Sequence, residues 1–79
     1  MKVHILKQNV CVIEVKGAEY LQSYSTLVAY KAYGPDAIII KHGQPQSVTT
    51  AKHISQWIGE PYKQALKSGR AIYGDIPEI

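Results

Sequence analysis

One cysteine, one arginine, one tryptophan and no phenylalanine occur among the 79 residues of this chain. A lone Cys11 excludes an internal disulfide framework and a cysteine-built zinc site, because both need partner thiols. A lone Arg70 argues against direct reading of base edges, where an arginine fork on guanine is the commonest contact. The longest aliphatic run, Ala37-Ile38-Ile39-Ile40, falls far short of the ~20 apolar residues of a membrane-crossing helix. Met1-Lys2-Val3-His4 leads into a charged pattern without the apolar core of a signal peptide, so the expectation is a cytoplasmic protein that does not engage membranes. Low-complexity tracts, repeats, glycine-rich phosphate loops and nucleophile elbows are all missing. No two of His4, His42 and His53 stand four residues apart, the spacing of a preformed helical metal site. Cys11 lies among Val and Ile and reads as a buried structural thiol. The expectation is a non-enzymatic protein without metal or cofactor.

What is present is an ordinary globular balance, 46% hydrophobic and 19% charged, which suits a single domain over residues 1–79. The net charge of +3 is dispersed along the chain and supports only weak, salt-sensitive binding of nucleic acid. Residues 2–7 and 10–16 are rich in Val and Ile and alternate, which reads as two strands or one long bent strand. The tyrosine-rich stretch 23–33 reads as one strand, since aromatic and β-branched side chains suit a pleated surface. Tyr24, Thr26, Val28 and Tyr30 would share one of its faces. Gly34-Pro35-Asp36 supplies a turn to a return strand over 37–41, whose three isoleucines suggest burial on both faces.

Beyond residue 47 the apolar period changes from two to 3.6. Ala51, Ile54, Trp57 and Ile58 form one stripe of a helix over 50–58, capped by Ser47 or Thr49 and stopped by Gly59. Pro61 restarts a helix over 61–68, with Tyr62, Ala65 and Leu66 inward. Residues 71–73 admit a short strand, and 74–79 read as a tail. The expected fold is α+β: a small antiparallel sheet of three to four strands, packed on one face by two short C-terminal helices. Trp57, Ile54, Ile58 and Leu66 are the expected helix side of its core. An open sheet edge would suit a homodimer.

Two groups of residues invite functional readings. Six tyrosines and no phenylalanine give every such ring a polar tip, which fits half-exposed positions and interfaces. Tyr24, Tyr30 and Tyr33 on the hairpin, with the basic row Lys63, Lys67 and Arg70, make a candidate interaction surface. Lys41 and His42 end the isoleucine strand, and Thr49, Thr50 and His53 open the next helix. Helix N-termini attract anions, so these five residues are a candidate anion site, with plain helix capping as the alternative.

Tyr20-Leu-Gln-Ser-Tyr-Ser-Thr-Leu-Val-Ala-Tyr30 followed by Ser47-Val-Thr-Thr-Ala-Lys-His-Ile-Ser-Gln-Trp57 resembles a family of small uncharacterised proteins of tailed phages and bacterial mobile elements. The matched part spans about residues 20–58. The segment before Ser47 departs from the family, with Gly43-Gln-Pro-Gln46 where an aromatic-rich stretch is usual. The resemblance implies an accessory protein that binds a host protein, including defence machinery, in the bacterial cytoplasm. It carries over no catalytic residue. A small basic nucleic-acid-binding module is the alternative.

Overall fold

In the computed structural model, residues 1–15, 17–32 and 38–77 are described. Eight elements follow one another: β1 (Lys2–Lys7), β2 (Val10–Val15), β3 (Ala18–Ser23), β4 (Thr26–Ala32), β5 (Ile38–Lys41), α1 (Val48–Ile58), α2 (Tyr62–Ser68) and β6 (Ala71–Gly74). The fold is α+β, but the sheet has six strands in sequence order rather than three or four. The first five pair antiparallel, and β6 lies parallel to β5. A parallel neighbour needs a crossover, and α1 and α2 supply it. The helices are therefore the link between the last two strands. Residues 71–73 do become a strand, extended to Gly74; the tail begins beyond it.

The stretch expected as one strand over 23–33 breaks at Tyr24-Ser25. Ser23 and Thr26 are partners across a two-residue turn, so residues 18–23 form a strand of their own. Tyr24 takes φ 58°, and Asn9 in the β1–β2 turn takes φ 68°. The turns touch: the Tyr24 N–H donates to the Asn9 carbonyl at 2.6 Å. The Gln22 side-chain amide also donates to the Tyr24 carbonyl at 3.0 Å. Tyr24 thus sits at a hairpin tip and does not share a strand face with Thr26, Val28 and Tyr30. The turn at 34–36 and Tyr33 lie outside the described residues.

Strand alternation builds two apolar layers. On one face Val10, Val12, Leu21, Ala29, Ile38, Ile40 and Ala71 meet Ile54 and Ala65 of the helices. Val28 joins this layer next to Ala29 because the β3–β4 register slips between Leu21 and Gln22, adding one residue to β4. The other face holds Ile13, Ala18 and Tyr20, with Cys11, Val15, Leu27 and Tyr30 packed around them. Burial, and next the neighbouring Tyr30, raises the Tyr20 phenol above its usual value, so the hydroxyl stays protonated in that layer. Cys11 is half-buried there, less enclosed than the sequence suggested, because β1 is the last strand on that side. Ile38 and Ile40 are buried and Ile39 is half-buried on the opposite face, as three consecutive isoleucines implied.

Ser47, not Thr49, caps α1. Its backbone is extended and its Oγ accepts the Thr50 N–H at 3.1 Å, so the helix starts two residues earlier than expected. Ser47→Ala is expected to cost about 0.5–2 kcal/mol in urea denaturation, whereas Thr49→Ala should stay within about 0.5 kcal/mol. Gly59 ends α1 at φ 93° with its N–H on the Ser55 carbonyl, and the Ser55 hydroxyl accepts the Tyr62 N–H at 3.0 Å. That one residue closes the first helix and opens the second. Pro61 precedes α2 as its cap rather than occupying its first position.

The inward residues differ from expectation in one respect. Ile54 and Ala65 are fully buried, while Trp57, Ile58 and Leu66 pack at the margin of the core. Trp57 is held there by its Nε1–H, which donates to the Glu19 carboxylate at 3.2 Å.

Candidate functional site

The β3–β4 tip and the start of α1 meet at a polar cleft of about 290 Å³. Its walls are Ser23, Tyr24, Thr26 and Val28 from the hairpin, and Gln44, Gln46, Ser47 and Thr50 from the segment entering α1. All of these but Gln44 and Gln46 come from the two stretches quoted above, about 20–30 and 47–57. Chain folding places them against each other across a separation of some 30 positions.

A row of hydrogen bonds runs beneath the cleft. Ser47 Oγ donates to Thr50 Oγ1 at 3.1 Å, Thr50 Oγ1 and Ser23 Oγ lie 3.3 Å apart, and Ser23 Oγ is 2.8 Å from His53 Nδ1. Ser23, Thr50 and His53 are all buried, at 2%, 6% and 7% exposure. Each hydroxyl has one proton to give. The order that finds every one an acceptor runs from Ser47 to Thr50 to Ser23 to Nδ1, and it leaves the imidazole proton on Nε2. Head-to-tail chains of this kind strengthen each member and tie the hairpin to the helix.

The Ser23–His53 pair places a hydroxyl against an imidazole nitrogen. Among the described residues no carboxylate hydrogen-bonds the imidazole to orient it as a base. What the arrangement does is fix the tip. Above it, Tyr24 is 52% exposed, with its ring centroid 6.1 Å from that of His53. A bulky side chain at positive φ is uncommon and costly, and it persists where surrounding contacts over-determine it. Here those contacts are the bonds to Asn9 and Gln22 and the braced Ser23 next door.

The five residues of the expected anion site are not assembled. Thr50 and His53 enter the buried row, where their polar atoms are engaged with Ser47 and Ser23. Thr49, Lys41 and His42 are exposed, and Lys41 lines a different depression with Leu27, Asp75, Ile76 and Pro77. Ile76, in the segment expected as a tail, is half-buried at that depression.

The expected interaction surface also divides. Tyr24 is displayed at the tip, but Tyr30 is half-buried against Tyr20 with ring centroids 5.0 Å apart. Lys63 and Lys67 are exposed around a shallow depression on α2. Arg70 is not part of that row in charge terms, because its guanidinium bonds Glu60 at 2.6 Å. Ser23 is the functional candidate that sequence reasoning missed. Its only signal was its place in the quoted motif, since a serine inside an apparent strand has no chemistry of its own.

Among the described residues no group of His, Cys, Asp and Glu is arranged to hold a metal ion. Among the same residues no helix is long and apolar enough to cross a membrane. A family model described as a family of unknown function, DUF8033, matches residues 2–74. No curated protein and no solved structure matches the chain.

Proposed function

We propose that this chain, which belongs to the DUF8033 family, is a non-catalytic protein that works by binding another protein through the Tyr24 tip and the cleft beside it. The observation that carries this reading is the exposed Tyr24 ring, held at positive φ above a buried hydrogen-bond row. Tyrosine is favoured at interface hot spots because it offers a large contact with few rotatable bonds and a polar end. A rigid tip loses little further freedom on binding, which favours affinity. The hydroxyls and amides of the cleft would meet polar groups of the partner around the ring. The resemblance to proteins of phages and mobile elements makes a host protein in the bacterial cytoplasm the partner proposed. Pairing of Arg70 with Glu60 leaves less free positive charge on α2 for the nucleic-acid alternative.

Affinity capture from bacterial lysate, with and without nuclease, tests the reading. The expected result is a protein retained after nuclease and at about 150 mM salt, since a packed interface does not depend on counterion release as phosphate contacts do. Tyr24→Asn keeps a residue that tolerates positive φ and removes the ring, and it should weaken capture at least about tenfold. Sub-micromolar binding of DNA or RNA at that salt, lost in Lys63→Gln/Lys67→Gln, would overturn the reading in favour of nucleic acid.

A further inference from the structure

The two edges of the sheet are unlike. β6 is four residues long and ends in Gly74, whereas β1 runs for six. Val3, Ile5 and Leu6 on β1 are 56%, 80% and 51% exposed. Edge strands are blunted by lysines, proline, bulges or a covering loop; β1 has a lysine at each end and an irregularity after Ile5, but Val3 and Ile5 between them are uncharged. Among the described residues nothing lies beyond β1 in the sheet. Val3 and Ile5 pair with Ile13 and Cys11, so they continue the apolar layer on the helix-free face to the very edge. The middle of that layer is already buried, with Ile13 at 9% and Tyr20 at 4% exposure; its uncovered aliphatic surface gathers on β1.

We propose that β1 pairs antiparallel with β1 of a second copy, joining two six-stranded sheets into one of twelve across a two-fold axis at His4. Symmetry fixes the register. Residues directly opposite in an antiparallel pair point to the same side of the sheet, so the paired positions have the same parity. Axes from Val3 to Leu6 each leave at least three residues of Lys2–Lys7 facing, and the one at Leu6 reaches no further than Ile5. An axis at Val3 sets Lys2 against His4 of the other copy. An axis at Ile5 sets Val3 against Lys7 and draws in the irregularity between Ile5 and Lys7. An axis at His4 sets Val3 against Ile5 twice, aliphatic on aliphatic, with residues 2–6 of the two strands facing.

Lys2 lies opposite Glu14 within its own copy, and His4 Nε2 hydrogen-bonds the same carboxylate at 2.6 Å. Each half thus brings its own counter-charge to the axis. A contact made by one short strand belongs to the class of small interfaces, below about 1,200 Å² in total, so the dimer dissociates in the micromolar range or above. The two Tyr24 tips then lie at opposite ends of the joint sheet, and both clefts stay open.

Sedimentation equilibrium from about 10 μM to about 1 mM tests the dimer. The expected result is a monomer–dimer equilibrium whose Kd rises at least about tenfold in Ile5→Lys, with an unchanged melt because Ile5 is solvent-exposed. His4→Cys in a Cys11→Ala background should oxidise to a disulfide dimer, since the two new thiols face each other across the axis. Ile5→Cys in the same background should not, because diagonal positions stand about 7–8 Å apart, beyond disulfide reach. A monomer throughout the range overturns the proposal. A dimer indifferent to Ile5→Lys overturns β1 as its surface, and cross-linking at Ile5 in place of His4 overturns the register.

Discussion

Ile54→Ala is expected to lower the stability of this domain by about 2–5 kcal/mol, the range for truncating a fully buried aliphatic side chain. Ile54 is 0% exposed and packs with Leu21, Val28 and Ile40, which are 0%, 1% and 0% exposed. A 79-residue domain holds about 4–12 kcal/mol in all, so this one change removes a large fraction of it. Urea denaturation reads the effect as a lower midpoint at unchanged slope. Trp57→Ala is the instructive comparison. As the largest apolar side chain it would be the costliest truncation if it sat at the centre. It lies at the margin with its indole N–H on Glu19, so its loss should cost less than that of Ile54. The reverse order would place the centre of the core at Trp57.

The same contrast shows what the linear pattern conveyed. A 3.6 period identifies a helical face, and Ile54, Trp57 and Ile58 do share the face turned to the sheet. It does not say which of them lies over the middle of the sheet, because that depends on the height and tilt at which the helix lands. The strands over 2–7 and 10–15, the return strand of isoleucines and both helices were legible because each carries its own period and punctuation. β3 was not. Ala18, Glu19 and Gln22 have little strand preference, and the Tyr24-Ser25 turn lacks the glycine that usually signals a two-residue hairpin. The turn is fixed instead by the Asn9 carbonyl, supplied by another hairpin, which no local reading finds. The parallel pairing of β6 is likewise decided by the crossover helices rather than by the four residues themselves.

For the candidate site the limit was distance along the chain. Thr50 and His53 stood out as polar residues at a helix start, and an anion was the natural ligand to assign them. Their partner, Ser23, lies 30 positions from His53 and looked like part of a strand. Once the hairpin turns at Tyr24, Ser23 faces the helix side beside Val10 and Leu21, and the buried row follows. A motif shared by two distant stretches therefore reported a tertiary contact more than a local function.

That row gives the second large effect. Ser23→Ala removes the middle of the chain and leaves His53 Nδ1 and the Thr50 hydroxyl buried without their partner, at an expected cost of about 1–3 kcal/mol. His53→Leu should cost a similar amount by stranding Ser23. The double variant should cost less than the sum, by about 0.5–3 kcal/mol, because once both ends are gone neither leaves the other unsatisfied. Strict additivity would mean that the two side chains are not one unit. A second measurement separates bracing from mere bulk: ¹⁵N chemical shifts of the imidazole should report the proton on Nε2 in the wild type and lose that bias in Ser23→Ala. Hydrogen exchange completes the argument. The Tyr24 amide, bonded to Asn9, should exchange faster in Ser23→Ala relative to amides in the centre of β3, since the change loosens the tip before it unfolds the sheet. Equal acceleration everywhere would instead reduce the row to general stability, and the rigid display of Tyr24 would lose its support.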